Sequence, residues 1–236
     1  MTGNRYITVL SATALFLCAD QSVPSAASDE AERVDRATAV LDELMTEPDS
    51  AIPRAILDSA EAVAVFPSTI KAGFIFGGHR GRGIISARKP DDGTWTEPAF
   101  VTLTGGSFGL QIGGQAVDLV LVVMNRRGLE KLLDNKFKIG GDASAVVGPL
   151  GRDAEASTDL YLRAEILSYS RARGVFAGVT LKGSTIRPDR DANERFYGDR
   201  LDSADVVLAA KAGAGVAPDS VMRLKDTLAV YATPAN

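Results

Sequence analysis

From residue 70 to about residue 185 the chain is broken every few positions by glycine, and short β-prone runs lie between the breaks. Gly73-Phe74-Ile75-Phe76, Gly83-Ile84-Ile85-Ser86, Ala99 to Leu103, Ser107 to Ile112 and Gly174 to Leu181 are such runs. Each glycine inside a helix costs about 1 kcal/mol relative to alanine. Strands that bend, or that let another backbone approach closely, accommodate glycine better. Gly105, Gly109 and Gly113 stand four apart, as in a helical glycine zipper. Thr104, Ser107, Phe108 and Ile112 are poor helix formers, so the same segment is expected in strands. Pro90-Asp91-Asp92-Gly93 has the composition of a hairpin turn between the second and third runs. Asp118 to Met124 (DLVLVVM) is apolar after its first residue, as in a central strand covered on both faces.

Helical patterns flank this region. Val34, Ala37, Leu41, Leu44 and Met45 share one face of a helix that Asp29 caps in a box with Glu32 and that Glu47 to Ser50 end. Pro53 suits the first turn of a second helix, Arg54 to about Ala60. The β-prone run Ala62 to Phe66 stops at Pro67. Arg127 to Leu133, Ser203 to about Ala212 and Asp219 to Leu228 read as further helices, and Asp159 to Glu165 as strand or helix. The fold expected is α+β: a curved, mostly antiparallel, barrel-like sheet with helices from both termini packed on it.

Arg5, an apolar run from Tyr6 to Ala19, and small residues at Ser25 and Ala27 form a signal-peptide pattern, too short to span a bilayer as a helix. Residues 1–27 are therefore expected to be removed, leaving residues 28–236 as one domain exported to the periplasm or cell envelope. The sole cysteine, Cys18, follows Leu17 where a lipoprotein signal needs a small residue, so acylation is not the expected outcome.

Charge is unevenly spread. Residues 28–61 carry a net −7, residues 62–188 a net +5 and residues 189–236 a net −2. Lys71 to Lys89 contains Lys71, Arg80, Arg82, Arg88 and Lys89 and no acid. A surface lined with such residues attracts anionic head groups, with roughly 1 kcal/mol per base near a membrane. Residues 77–83, taken as a loop, would let Arg80 and Arg82 point the same way. These five bases are the candidate site for anionic phospholipid. Arg126, Arg127, Lys131, Lys136 and Lys138 are the next candidates.

The chemistry of catalysis is missing from the inventory. With one histidine, His79, neither a His-based triad nor a multi-His metal site is possible. Between Gly78 and Arg80 it reads as a surface loop residue. Gly77 to Gly83 lacks the Gly-Lys-Ser/Thr ending of a P-loop. Asp189 to Arg200 opens like an EF-hand loop but has Glu194 for the required glycine and Arg200 for the required glutamate. No enzyme activity, cofactor, metal or nucleic-acid partner is expected.

Several motifs in order resemble the SYLF domain family. They are Ala62 to Pro67; Lys71-Ala72-Gly73-Phe74 with Gly77-Gly78 and Gly81-x-Gly83; Gly93 to Phe100; and Gly105 to Gly114. Ser168-Tyr169-Ser170, Gly174 to Gly178, Leu181 to Ser184 and Tyr197-Gly198 continue the series. The resemblance covers about residues 33–230. It implies a lipid-binding domain, since eukaryotic members bind phosphoinositides and some bind actin, while bacterial members are often exported. Those eukaryotic members place a basic amphipathic N-terminal segment at the membrane. Residues 28–61 are acidic here, so contact is expected through the β region. A non-catalytic structural or interaction module, contacting envelope proteins or host actin, is the alternative.

Overall fold

Strand pairing explains the glycine-punctuated texture. The computed structural model describes residues 26–47, 51–73, 76–108, 113–143, 145–151, 161, 163–172, 175–176, 181–209, 211 and 218–232. Four long antiparallel strands form its centre: β1 (Ala62–Gly73), β2 (Phe76–Ala87), β3 (Ala99–Phe108) and β4 (Gly113–Val123). Shorter strands extend both sides: β5 (Phe137–Lys138), β6 (Ala145–Val147), β7 (Ile166–Ala172), β8 (Val175–Phe176) and β9 (Thr185–Pro188). The sheet order is β5-β9-β3-β2-β1-β4-β7-β6, with β8 against β7. Only β6 and β7 pair in parallel among these. The sheet is curled into an open half-barrel, and the fold is α+β as expected.

Six helices complete the described chain: α1 (Ala26–Thr46), α2 (Arg54–Asp58), α3 (Arg126–Leu133), α4 (Arg190–Tyr197), α5 (Ser203–Val207) and α6 (Asp219–Tyr231). Period-two alternation divides the strands between two cores. Val63, Val65, Ile84, Phe100, Val120 and Val122 face one core with α1, α2 and α6. Ala64, Phe66, Ile85, Leu119, Leu121 and Val123 face the other with α3 and α5. From Leu119 to Val123 β4 is paired on both edges and buried on both faces, which accounts for its unbroken apolar run. In α1, Val34, Ala37, Leu41 and Leu44 are buried, as their spacing requires.

Several boundaries differ from the sequence reading. Pro67 does not end β1. The strand passes through a bulge at Phe66 to Thr69, where pairing to β2 and β4 slips. Ser68 sits there at φ 51°, and its N–H donates to the Asp118 carboxylate at 2.8 Å. The bulge explains how proline is tolerated: an unpaired position needs no ladder donor. Gly83 lies opposite this bend, and a Cβ there would collide with the Val65 carbonyl and the Phe66 ring.

The run Gly73 to Phe76 is split, with Gly73 closing β1 and Phe76 opening β2. Residues 77–83 are strand rather than loop, because β2 is held by β1 and β3 at once. The helix from Ser203 ends at Val207, short of Ala212. Asp29 lies in the first turn of α1 and does not cap it, since the helix begins at Ala26. The segment resembling an EF-hand forms α4 instead. Asp189 is its N-cap, accepting the Ala192 N–H, and Gly198 ends it at φ 77°. The turn at Pro90 to Gly93 holds as expected: Gly93 takes φ 68°, and Lys89 N–H donates to the Thr94 carbonyl. Residues 109–112, and all but Tyr161 and 163–165 of the segment 159–165, lie outside the described residues, as do residues 1–25 with Cys18.

Candidate functional site

Register puts two of the five candidate bases on one open face. Arg80 and Arg82 alternate with buried His79, Gly81 and Gly83, so both project from the same side of β2 into solvent. That side is the one on which Ile84 meets the core, continued past the part of the sheet that α1 covers. Cross-strand pairing then builds two rows. One runs Lys138, Thr185, Thr104, Arg80, Ile70, Ala116 across β5, β9, β3, β2, β1 and β4. The other runs Arg187, Thr102, Arg82 across β9, β3 and β2. Lys138, Arg187, Arg80 and Arg82 are all exposed, and none makes an ion pair among the described residues. Ile70, in the same row as Arg80, is 60% exposed.

The other three candidates stand elsewhere. Lys71 occupies a β1 position opposite His79 and Gln115, and its side chain lies outside the described residues. Lys89 lies beside the 90–93 turn at the far end of β2. There its charge, with Lys225, acts on Glu97. Burial pushes the Glu97 carboxyl up, but its backbone hydrogen bond, the Lys225 hydrogen bond and those charges together leave it below its ordinary value.

Arg88 is a structural clamp and does not join the basic face. Its Nε donates to the Ala60 carbonyl at 3.0 Å, Nη1 to Gly93 at 3.2 Å, and Nη2 to Leu57 at 3.2 Å and to Ala232 at 2.7 Å. The guanidinium carbon also lies 4.7 Å from the centre of the Trp95 ring. Four carbonyls near the ends of α2, of the 90–93 turn and of α6 are thereby satisfied by one planar group. Desolvation lowers its pKa, against the pull of Asp58 and Glu61.

His79 is likewise not a surface residue: it is buried, with Nε2 2.8 Å from the Ser184 hydroxyl. Of the reserve candidates, Arg126 pairs with Glu130, and Arg127 and Lys131 with Glu165, so α3 offers little free charge. Lys136 is exposed between α3 and β5. Lys138 joins the basic face, and Arg187 is the residue that sequence reading missed. Nothing local marks it; only the pairing of β9 with β3 brings it beside Arg82.

A groove of about 770 Å³ separates this face from the first turns of α1. At its inner end Glu30 and Arg33 are almost wholly buried. Arg33 binds Glu30 at 3.0 Å and Asp189 at 3.0 Å, Arg195 also binds Glu30, and the Arg33 guanidinium lies 5.2 Å from the Phe100 ring centre. Asp29, Glu32 and Arg36 line the helix side, with Arg36 paired to Glu32 at 2.7 Å.

The segment Gly93 to Phe100 serves the scaffold. Trp95 stacks on Arg88, and Ser86 Oγ donates to the Thr96 carbonyl at 2.8 Å. The Pro98 carbonyl accepts from the Tyr197 hydroxyl at 2.5 Å, and burial raises the Tyr197 pKa. Among the described residues no cluster of three or more His, Cys, Asp or Glu is placed to hold a metal ion, and no helix is long and apolar enough to cross a membrane.

These motifs build an α+β module with a basic open sheet face. The chain belongs to the Ysc84 family, the SYLF domain, whose profile, described as Las17-binding protein actin regulator, matches residues 104–231. LAS seventeen-binding protein 3 of Saccharomyces cerevisiae is 34% identical over 191 residues, which cover 80% of this chain and 41% of that protein. Protein YSC84 of the same yeast is 33% identical over 184 residues, or 77% of this chain and 39% of its own. Human SH3 domain-containing YSC84-like protein 1 is 32% identical over 189 residues, or 79% of this chain and 55% of its own. The chain thus spans between two-fifths and just over half the length of these relatives. The family is one of binding and regulatory domains.

Proposed function

We propose that this chain is an exported, non-catalytic binding module that holds anionic phospholipid on the open face of β1, β2, β3 and β9. One observation carries the reading. Arg80, Arg82, Arg187 and Lys138 stand on adjacent rows without a carboxylate partner among the described residues, beside the exposed Ile70. Guanidinium groups grip phosphate through two parallel hydrogen bonds, and an apolar side chain among them can enter the acyl boundary. The family's description as a Las17-binding protein actin regulator favours a second reading, a protein partner related to the actin cytoskeleton, on the same module.

Co-sedimentation with phosphatidylglycerol vesicles tests the first reading. Arg80→Glu with Arg82→Glu should weaken binding by about 2 kcal/mol or more, roughly 30-fold, while wild-type binding falls as salt rises. Equal binding by the variant would overturn the assignment to this face. No vesicle binding, together with co-sedimentation with actin filaments, would establish the second reading.

Export rests on the apolar run 6–19 followed by Ser25 and Ala27. Cleavage after Ala27 would trim only the first two residues of α1. Intact mass of the protein from its native cells should place Ser28 at the N-terminus; an acylated Cys18 there would make it a lipoprotein instead.

A further inference from the structure

The groove between α1 and the basic face brings charges of both signs to one cleft. The Glu30–Arg33–Asp189–Arg195 cluster at its inner end is internally matched. Facing the opening, Arg80 and Arg82 are unpaired on the strand wall. On the helix wall Asp29 is exposed and makes no ion pair among the described residues, and Glu32 shares its charge with Arg36 at an exposed position. With Arg36 offsetting Glu32, the helix wall keeps a net negative charge at Asp29, so a ligand that is only anionic finds its partners on the strand wall alone. Like charges set against each other across an interface are a common source of selectivity.

We propose that this groove selects a phosphate ester bearing a primary ammonium group, the chemistry of a phosphoethanolamine headgroup. The phosphodiester sits at Arg80 and Arg82, and the ammonium, two carbons away, turns to Asp29 and Glu32. A primary ammonium donates three hydrogen bonds, as the lysine head does, and a carboxylate accepts them. A trimethylammonium donates none, and glycerol or inositol headgroups carry no cation for the helix wall. The volume of about 770 Å³ is within the range of small-molecule sites. The inference rests on the lipid-surface reading for its membrane form, and the same chemistry would also admit the free ester.

The test uses the chain from Ser28, which the export reading leaves as the mature protein, and two kinds of probe. The first is a pair of vesicles with the same phosphatidylglycerol content, made up with phosphatidylethanolamine or with phosphatidylcholine. The second is soluble glycerophosphoethanolamine against glycerophosphocholine, followed by NMR shifts, which removes any effect of lipid packing. Wild type should prefer the ethanolamine member of each pair by about tenfold, the scale of one charge-assisted hydrogen bond. Asp29→Asn with Glu32→Gln should abolish the preference while leaving binding to phosphatidylglycerol/phosphatidylcholine vesicles equal or stronger. Arg80→Gln with Arg82→Gln should weaken binding to both vesicles. All four positions are exposed, and unchanged thermal unfolding verifies that each variant is folded.

Equal affinity of wild type for the ethanolamine and choline members overturns the inference. So does a preference that survives Asp29→Asn with Glu32→Gln. Failure of wild type to bind any vesicle overturns the lipid-surface reading alone if glycerophosphoethanolamine still shifts the groove residues in wild type and not in the acidic-wall variant. It overturns both if the soluble ester gives no shift.

Discussion

Replacing Arg88 with alanine should lower stability by about 3 to 5 kcal/mol, to be read from the urea midpoint at unchanged m-value. The guanidinium donates to the carbonyls of Leu57, Ala60, Gly93 and Ala232, which come from three separate segments. Hydrogen bonds from a charged donor contribute about 1.5 to 3 kcal/mol each when broken singly. Solvent entering the half-buried site offsets part of that total, so the whole loss is smaller than four such bonds. The contact with the Trp95 face is lost as well, worth about 0.5 to 2 kcal/mol. For a domain of this size the expected fall in Tm is about 10 °C. Arg88→Lys recovers little of it, because one ammonium cannot reach four divergent carbonyls. Arg82→Ala, on the same strand but exposed and unpaired, should change stability by less than about 0.5 kcal/mol. If Arg88→Ala proves as mild as Arg82→Ala, the clamp is not a determinant of the fold. The contrast also decides how the basic face can be studied: substitution at Arg88 would confound unfolding with loss of binding.

Glu30→Ala is expected to cost about 3 kcal/mol or more, for a different reason. Glu30 is 1% exposed, and its carboxylate serves two arginines, Arg33 and Arg195. Removing it leaves the Arg33 guanidinium, itself 4% exposed, with Asp189 as its one carboxylate partner among the described residues. Breaking a buried pair from one side typically costs about 3 to 5 kcal/mol, because a desolvated charge remains. Taking both charges away is milder. Glu30→Leu with Arg33→Met should therefore be more stable than Glu30→Ala, with Phe100 packing against the methionine in place of the guanidinium. Chemical denaturation of both variants reads the difference. If the double variant is the less stable of the two, the charges contribute to the fold in their own right. The same cluster ties α1 to the N-cap of α4 through Asp189, so a loss of α1 docking should also appear as faster amide exchange in α4.

Legibility followed the range of the interactions. The buried stripe of α1 could be read from spacing, and the turn at Pro90 to Gly93 from residue types, because both depend on neighbours within a few positions. The continuous apolar run from Leu119 to Met124 announced a strand covered on both sides. Pro67 misled, since the rule that proline ends a strand holds only where a ladder hydrogen bond is needed, and here a bulge removes the need. Residues 77–83 misled in the same way: glycine and arginine suggest a loop, yet pairing on both edges holds them in β2. The helix α4 was hidden behind a resemblance to a calcium loop, although Asp189 at its start and Gly198 at its end are ordinary helix signals.

For the candidate site, the sequence by itself determined that the β region is basic, that Lys71 to Lys89 holds no acid, and that Arg80 and Arg82 point the same way in any extended chain. Only the tertiary structure decided which bases share a surface. It joined Arg187 and Lys138 to Arg80 and Arg82 through β9, and it withdrew Arg88 into a clamp whose partners lie at residues 57, 60, 93 and 232. It also set the acidic first turn of α1 across a groove from the arginines. The physical reason is that side-chain direction along a strand is a local property with a period of two. Which strand lies alongside, and which carbonyls are left needing a donor, depend on how distant segments close over one another.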